Sequence, residues 1–230
     1  MSLDQNLQNY IDNGFQKVEG FCPISTLLVL DHLDKFTQKS AGAMEIGIHH
    51  GQLYLALNQL ISPDKKSYAI DLFDSQELNI DHSGDGNKQR FVQNLQKYDR
   101  HNGMNTNIIE GDSTDLSIFE EVERCHYISV DGGHTPEHVI NDLSIACKMV
   151  TNNGVVIVDD YLNHWWPSVT EGIFKYLSTN PTLVPFATSA NKMWMCKLSY
   201  KPQYLNHVKQ IPSFNRNDVK IFGHDVLNLW

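Results

Sequence analysis

The sequence predicts an α/β protein: a doubly wound sheet, mostly parallel, with an antiparallel C-terminal hairpin and seven strands in all. Three observations carry that prediction. Short apolar runs at 43–46, 67–70, 107–109, 127–130 and 155–158 alternate with stretches of helical periodicity, the rhythm of βαβ units. The first run ends in a glycine turn, Gly47 to Gly51, and the next two end in acids, Asp71 and Glu110-Gly111-Asp112. The fourth and fifth runs stop at Asp131 and at Asp159-Asp160. Parallel pairing would bring those three carboxylates to the carboxyl edge of the sheet, where open α/β folds bind ligands.

The chain's 230 residues, 41% hydrophobic and 20% charged, suit one large domain of the ordinary globular class with a substantial core. Its formal charge of −9 argues against a general affinity for nucleic acid or anionic membrane, which basic patches would provide. There is no apolar run long enough to span a bilayer and no basic segment leading into an apolar one at the N-terminus. Cys22, Cys125, Cys147 and Cys196 are widely spaced, with no CxxC pair. Reduced thiols in a cytoplasmic protein are therefore expected, and a zinc site is not.

Residues 1–40 read as a helical cap. Ile24, Leu27, Leu28, Leu30 and Leu33 suit it to cover one end of the sheet or to form part of a substrate lid. The main domain spans 41–200. Its first strand, 43–46, runs into Gly47-Ile48-His49-His50-Gly51 and then an apolar helix at 53–61. This layout aims backbone amides and a helix N-terminus at a ligand. The spacing is not the dinucleotide fingerprint GxGxxG, because His49 stands where its second glycine belongs. Asp71 ends the second strand at the distance from the glycine turn that suits the hydroxyls of a ribose, with Asp74 as a further candidate.

Residues 75–90 are polar, with Ser83-Gly84-Asp85-Gly86 at their centre, and read as a loop able to fold over a ligand. A helix follows at 88–98 with Phe91, Val92 and Leu95 facing inward, then the third strand and a short helix through Leu116, Phe119 and Val122. After Asp131 the chain passes Gly132-Gly133-His134, placing His134 at the rim of the sheet. Thr135 is the expected N-cap of the next helix, Pro136 its first residue, and Glu137 complements its dipole. Val139, Leu143, Ala146 and Val150 form its sheet-facing stripe, and Asn152-Asn153-Gly154 is its expected end.

Three carboxylates meeting at one edge repel one another and require protons or a hard cation. Beyond them, Tyr161, His164, Trp165, Trp166 and Pro167 could wall a substrate pocket or cap the core. A helix at 172–177 leads to strands at 183–187 and 193–198. Residues 201–230 read as a C-terminal extension whose Ile221, Phe222, Val226, Leu227, Leu229 and Trp230 pack onto the domain or onto a second subunit, leaving a homo-oligomer open.

These pieces resemble a class I S-adenosylmethionine-dependent methyltransferase with a Rossmann-like sheet. Glu45-Ile46-Gly47-Ile48-His49-His50-Gly51 fits an ExGxxxG first motif but departs from ExGxGxG at His49. The resemblance implies that Glu45, Gly47 and Gly51 flank the methionine moiety, Asp71 the ribose, and Asp112 with Ser113 the adenine. The block Asp131-Gly132-Gly133-His134 followed by Asp159-Asp160 is similar to the metal-dependent small-molecule and sugar O-methyltransferases of macrolide and aminocoumarin tailoring. It implies Mg²⁺ held by Asp131, Asp159 and Asp160, with His134 as general base and a small-molecule hydroxyl as acceptor. Catechol-type relatives use a lysine base, and no lysine stands near Asp131 in the chain. His49, His50, His138 and His164 are assigned solvent-facing or supporting places. Two alternatives stay open: a nicotinamide-dependent oxidoreductase on a similar sheet, and a protein that binds a nucleoside cofactor without catalysis.

Overall fold

The structure, a computed structural model, describes residues 2–179 and 182–230. In chain order its elements are α1 (Gln5–Tyr10), α2 (Ile24–Asp34), β1 (Gly42–Ile46), α3 (Gln52–Gln59), β2 (Ser67–Asp71), α4 (Lys88–Tyr98), β3 (Thr106–Glu110) and β4 (Cys125–Val130). They continue with α5 (Pro136–Met149), β5 (Val150–Val158), α6 (Pro167–Thr179), β6 (Leu183–Ser189), β7 (Lys192–Lys197), α7 (Lys201–Val208), β8 (Arg216–Ile221) and β9 (His224–Leu229). The strands form one sheet in the order β3-β2-β1-β4-β5-β7-β6-β9-β8. β1 to β5 are mutually parallel, and β7 joins β5 antiparallel.

Alternation along each strand divides the core into two layers. Ala43, Tyr127, Val155, Ile157 and Trp194 face α1, α2, α3, α4 and α7. Met44, Ile46, Ile128, Val156, Val158 and Met195 face α5 and α6. Helices therefore cover both faces. The chain moves outward in opposite directions from β1 and β4, which makes their shared carboxyl end the switch point where such sheets bind ligands.

Two expectations are corrected. Among the described residues the sheet has nine strands rather than seven, because residues expected to be a polar extension form the β8–β9 hairpin. Phe222 and Gly223 turn it with φ of 48° and 78°, as a two-residue hairpin of right-handed twist requires. β9 then pairs parallel with β6, and Val226, Leu227 and Leu229 are buried. The second correction concerns the end of α5. Val150 opens β5 and pairs with Cys125, so Asn152-Asn153-Gly154 lies inside the strand, not in a turn. The β4–β5 register shifts between Cys125 and Tyr127, and this irregularity absorbs the polar segment.

Candidate active site

The turn after β1 is built by close packing. Gly47 has φ 85°, and a Cβ there would lie 1.8 Å from the carbonyl oxygen of Asp131, so the chain at β1 and the chain leaving β4 touch backbone to backbone. His49 has φ 52°, the conformation glycine adopts at little cost. The residue that breaks the glycine pattern thus keeps the backbone the pattern implies. Asp71 stabilises this turn, accepting the N–H groups of Ile48 at 2.5 Å and His49 at 2.9 Å, and that of Phe73 at 2.6 Å.

A cavity of about 610 Å³ opens at the switch point. Glu45, Gly47, Asp71, Asp112, Ser113, Asp131, His134, Asp159 and Asp160 all line it, so nine of the ten residues singled out from sequence share one wall. Gly51 stands apart: it precedes α3 with φ 87°, and a Cβ there would meet Phe91 at 2.6 Å. Its need for glycine comes from packing behind the turn.

Glu45 is buried with Oε2 lacking a hydrogen bond, and burial pushes its carboxyl up to about 8. An orphaned polar atom on a cavity wall, beside a turn with no room for a side chain, suits a polar cofactor in a volume typical of small-molecule sites. Phe21, Leu78, Ile80 and Trp165 line the cavity while exposing 45% to 85% of their surface, which gives it an apolar mouth.

His134 is fixed from three sides. Its Nδ1 lies 3.1 Å from Asp81 Oδ2 and its Nε2 3.1 Å from Asp160 Oδ2. Its ring stacks on Trp166 at 4.2 Å, and its backbone N–H donates to Asp81 at 2.6 Å. Burial alone would lower its pKa, but the bonds to Asp160 and the charge of Asp81 outweigh burial and raise it. Asp81 comes from the polar 75–90 segment, which does fold over the cavity as expected and contributes a residue the sequence reading missed. Burial opposes its charge, yet bonds from Ser83 and His134 hold the Asp81 carboxyl at about 2.

The expected trio of metal ligands divides. Oxygen atoms of Asp131 and Asp160 and a nitrogen of His134 lie within 4.8 Å of one another. Asp159 is outside that group, although its carboxyl lies beside that of Asp131. It accepts from Lys192 Nζ, from the backbone N–H of Asp160 at 2.7 Å and from Asn191 Nδ2 at 2.8 Å. Three donors fill most of the roughly four acceptor positions of the Asp159 carboxylate, and Asp160 likewise accepts from His134, Asn163 and Asn191. Lys192 also corrects the expectation that no lysine lies near Asp131: the two are electrostatic neighbours across the sheet. Of the four histidines assigned solvent-facing or supporting places, His50 is buried and its ring packs 3.9 Å from that of His49.

The cavity thus lies at a switch point, with a clamped histidine and an acidic cluster at one end. Residues 44–161 match the family profile described as methyltransferase domain. The match covers half the chain, and the protein belongs to that family. Family membership favours the methyltransferase reading over the oxidoreductase. A curated relative, the uncharacterized protein R132 of Acanthamoeba polyphaga mimivirus, is 29% identical over 98 residues, 40% of this chain and 44% of that protein. The chain thus matches less than half of that relative's length.

Among solved structures, the O-methyltransferase from Bacillus cereus in complex with SAH superposes with a TM-score of 0.54 at 14% identity, over 85% of this chain and 91% of that one. CalS11, a TDP-rhamnose 3'-O-methyltransferase of calicheamicin biosynthesis, gives 0.54 at 16% identity over 82% and 86%. At these identities the likeness is one of fold. Among the described residues no helix is long and apolar enough to cross a membrane.

Proposed function

We propose that this protein is an S-adenosylmethionine-dependent O-methyltransferase that acts on a hydroxyl of a small molecule. The observation that carries the reading is His134, clamped between Asp81 and Asp160 and stacked on Trp166 at the acidic end of a cavity shared with the glycine turn. In this reading Glu45 and Gly47 flank the methionine part of the cofactor, Asp71 the ribose, and Asp112 with Ser113 the adenine. Gly51 serves by packing behind the turn. S-adenosylmethionine, when bound, supplies an activated methyl group to a nucleophilic oxygen.

A hydroxyl is a poor nucleophile until its proton is taken. With Asp81 at Nδ1 and Asp160 at Nε2, each 3.1 Å away, the ring as it stands donates from both nitrogens; to act as base it gives up the Nε2 proton and offers that nitrogen to the acceptor hydroxyl in place of Asp160. Trp166 fixes the plane of the ring. Asp160, at Nε2, marks the approach of the acceptor oxygen and stabilises the imidazolium once the proton has arrived. With the cofactor bound, the deprotonated oxygen would take the methyl group as the cofactor's carbon–sulfur bond gives way. Alignment of donor and acceptor accounts for a share of the barrier, on the order of ~7–11 kcal/mol for well-oriented reactants. No step here depends on Mg²⁺, since Asp159 and Asp160, two of its expected ligands, already accept from Lys192, Asn191, Asn163 and His134.

The aromatic mouth favours an acceptor that carries a ring or apolar body, with a natural-product sugar hydroxyl first and a catechol-like phenol next. CalS11, with its sugar nucleotide substrate, is an example of the first kind on a similar fold. The test is methyl transfer from labelled S-adenosylmethionine to a panel of glycosides and phenols. Replacing His134 by Ala should lower kcat by about 10²–10⁴ and leave the affinity for S-adenosylhomocysteine within a few-fold. Retention of most turnover by His134→Ala on the best acceptor would remove the general base from the account.

A further inference from the structure

The acidic end of the cavity draws carboxylates from three strands: Glu45 on β1, Asp131 after β4, and Asp159 with Asp160 after β5. Facing them is Lys192, the first residue of β7, fully buried with 0% exposure. Its position follows from strand register. Val158 pairs with Met193 in the antiparallel β5–β7 ladder, so the next pair outward sets Asp159 against Lys192. The ammonium donates to Asp159, while Asn191 and the N–H of Asp160 hold the same carboxylate in place. Asp159 and Asp131 are the acidic groups that face it.

We propose that Lys192 is the built-in cation of this site: its ammonium, rather than a divalent metal, balances the Asp131–Asp159 end of the acidic cluster. The functional consequence rests on the methyl-transfer reading; the charge balance does not. A buried ammonium needs a partner as much as the carboxylates do, so the two requirements are met by one contact. A divalent ion added at Asp131 would confront a fixed positive charge and a carboxylate already occupied by three donors.

Mn²⁺ titration followed by electron paramagnetic resonance, on protein saturated with S-adenosylhomocysteine, tests the proposal. No Mn²⁺ should be taken up at micromolar levels by the acidic cluster, and chelation should leave the melting temperature unchanged. Lys192→Met should melt roughly 10 °C lower and become stabilised by Mg²⁺, which the wild type is not. The double variant Lys192→Met/Asp159→Asn should recover much of the loss, because neither charge is then left alone.

Micromolar Mn²⁺ uptake by the wild type that disappears in Asp131→Asn overturns the proposal, as does a Lys192→Met protein that melts like the wild type. The Asp131→Asn control separates the cluster from the Glu19, His49 and His50 group, which also brings three donor atoms within 4.8 Å of one another. If Lys192→Met does not fold, the wild-type titration decides alone. Failure to bind S-adenosylhomocysteine, read by calorimetry, would sink the methyltransferase reading and leave the metal result to stand by itself.

Discussion

In the proposed reaction His134 is the residue on which the chemistry turns, and its surroundings set its pH behaviour. Asp160 and Asp81 outweigh burial and raise its pKa above the usual value near ~6.5. A base must be neutral to act, so turnover should climb as pH rises through a midpoint above ~6.5. A profile already flat at pH 6 would contradict that role. Asp81→Asn should move the acid limb down, since the neighbouring negative charge is gone. Asp81 itself, held at about 2, contributes stability that is complete above the unfolded carboxyl value near ~3.9. That contribution is lost as pH falls through about 2. His134 was legible in the sequence from its place three residues after a strand-ending Asp. Asp81 was not, because it lies in a polar loop whose local pattern gives no sign of where it will touch.

At the scale of elements, the turn after β1 joins the Asp71 end of the cavity to the acidic end. Gly47→Ala would force a Cβ into the backbone of Asp131 in a conformation that costs a non-glycine residue roughly 1–2 kcal/mol before any clash. It should weaken S-adenosylhomocysteine binding at least tenfold by calorimetry; unchanged affinity would mean that β1 and β4 do not need this close approach. The strand–turn–helix units could be read in advance because periodicity and turn residues agree there: α4 spans the predicted residues, and Thr135 with Pro136 opens α5. Lys192 escaped because its meaning depends on which strand β7 joins and in what register. The turn before it, at 188–191, reads only as a hairpin loop.

Over the whole molecule, the nine-stranded sheet ties the C-terminal residues to the site through β6, β7 and β5. Leu227 in β9 is 2% exposed and packs in the same core layer as Tyr127 and Trp194. Leu227→Ala should therefore cost about 2–5 kcal/mol in urea unfolding, with all spectroscopic probes moving together. A loss well below that range, or a separate early transition, would show the hairpin to be an appendage. The doubly wound core was readable because buried parallel strands are runs of apolar residues. The hairpin was not, since β8 is largely exposed and its residues look polar. Only Phe222-Gly223, followed by the apolar Val226, Leu227 and Leu229, hinted at it.

The central claim is that the cavity at the β1–β4 switch point holds S-adenosylmethionine. Calorimetric titration of the purified protein with S-adenosylhomocysteine, alongside NAD, tests it most directly. The account predicts one S-adenosylhomocysteine bound per chain, weakened by Gly47→Ala, and no heat of binding from NAD. Uptake of NAD in its place, or of neither nucleotide, would contradict it.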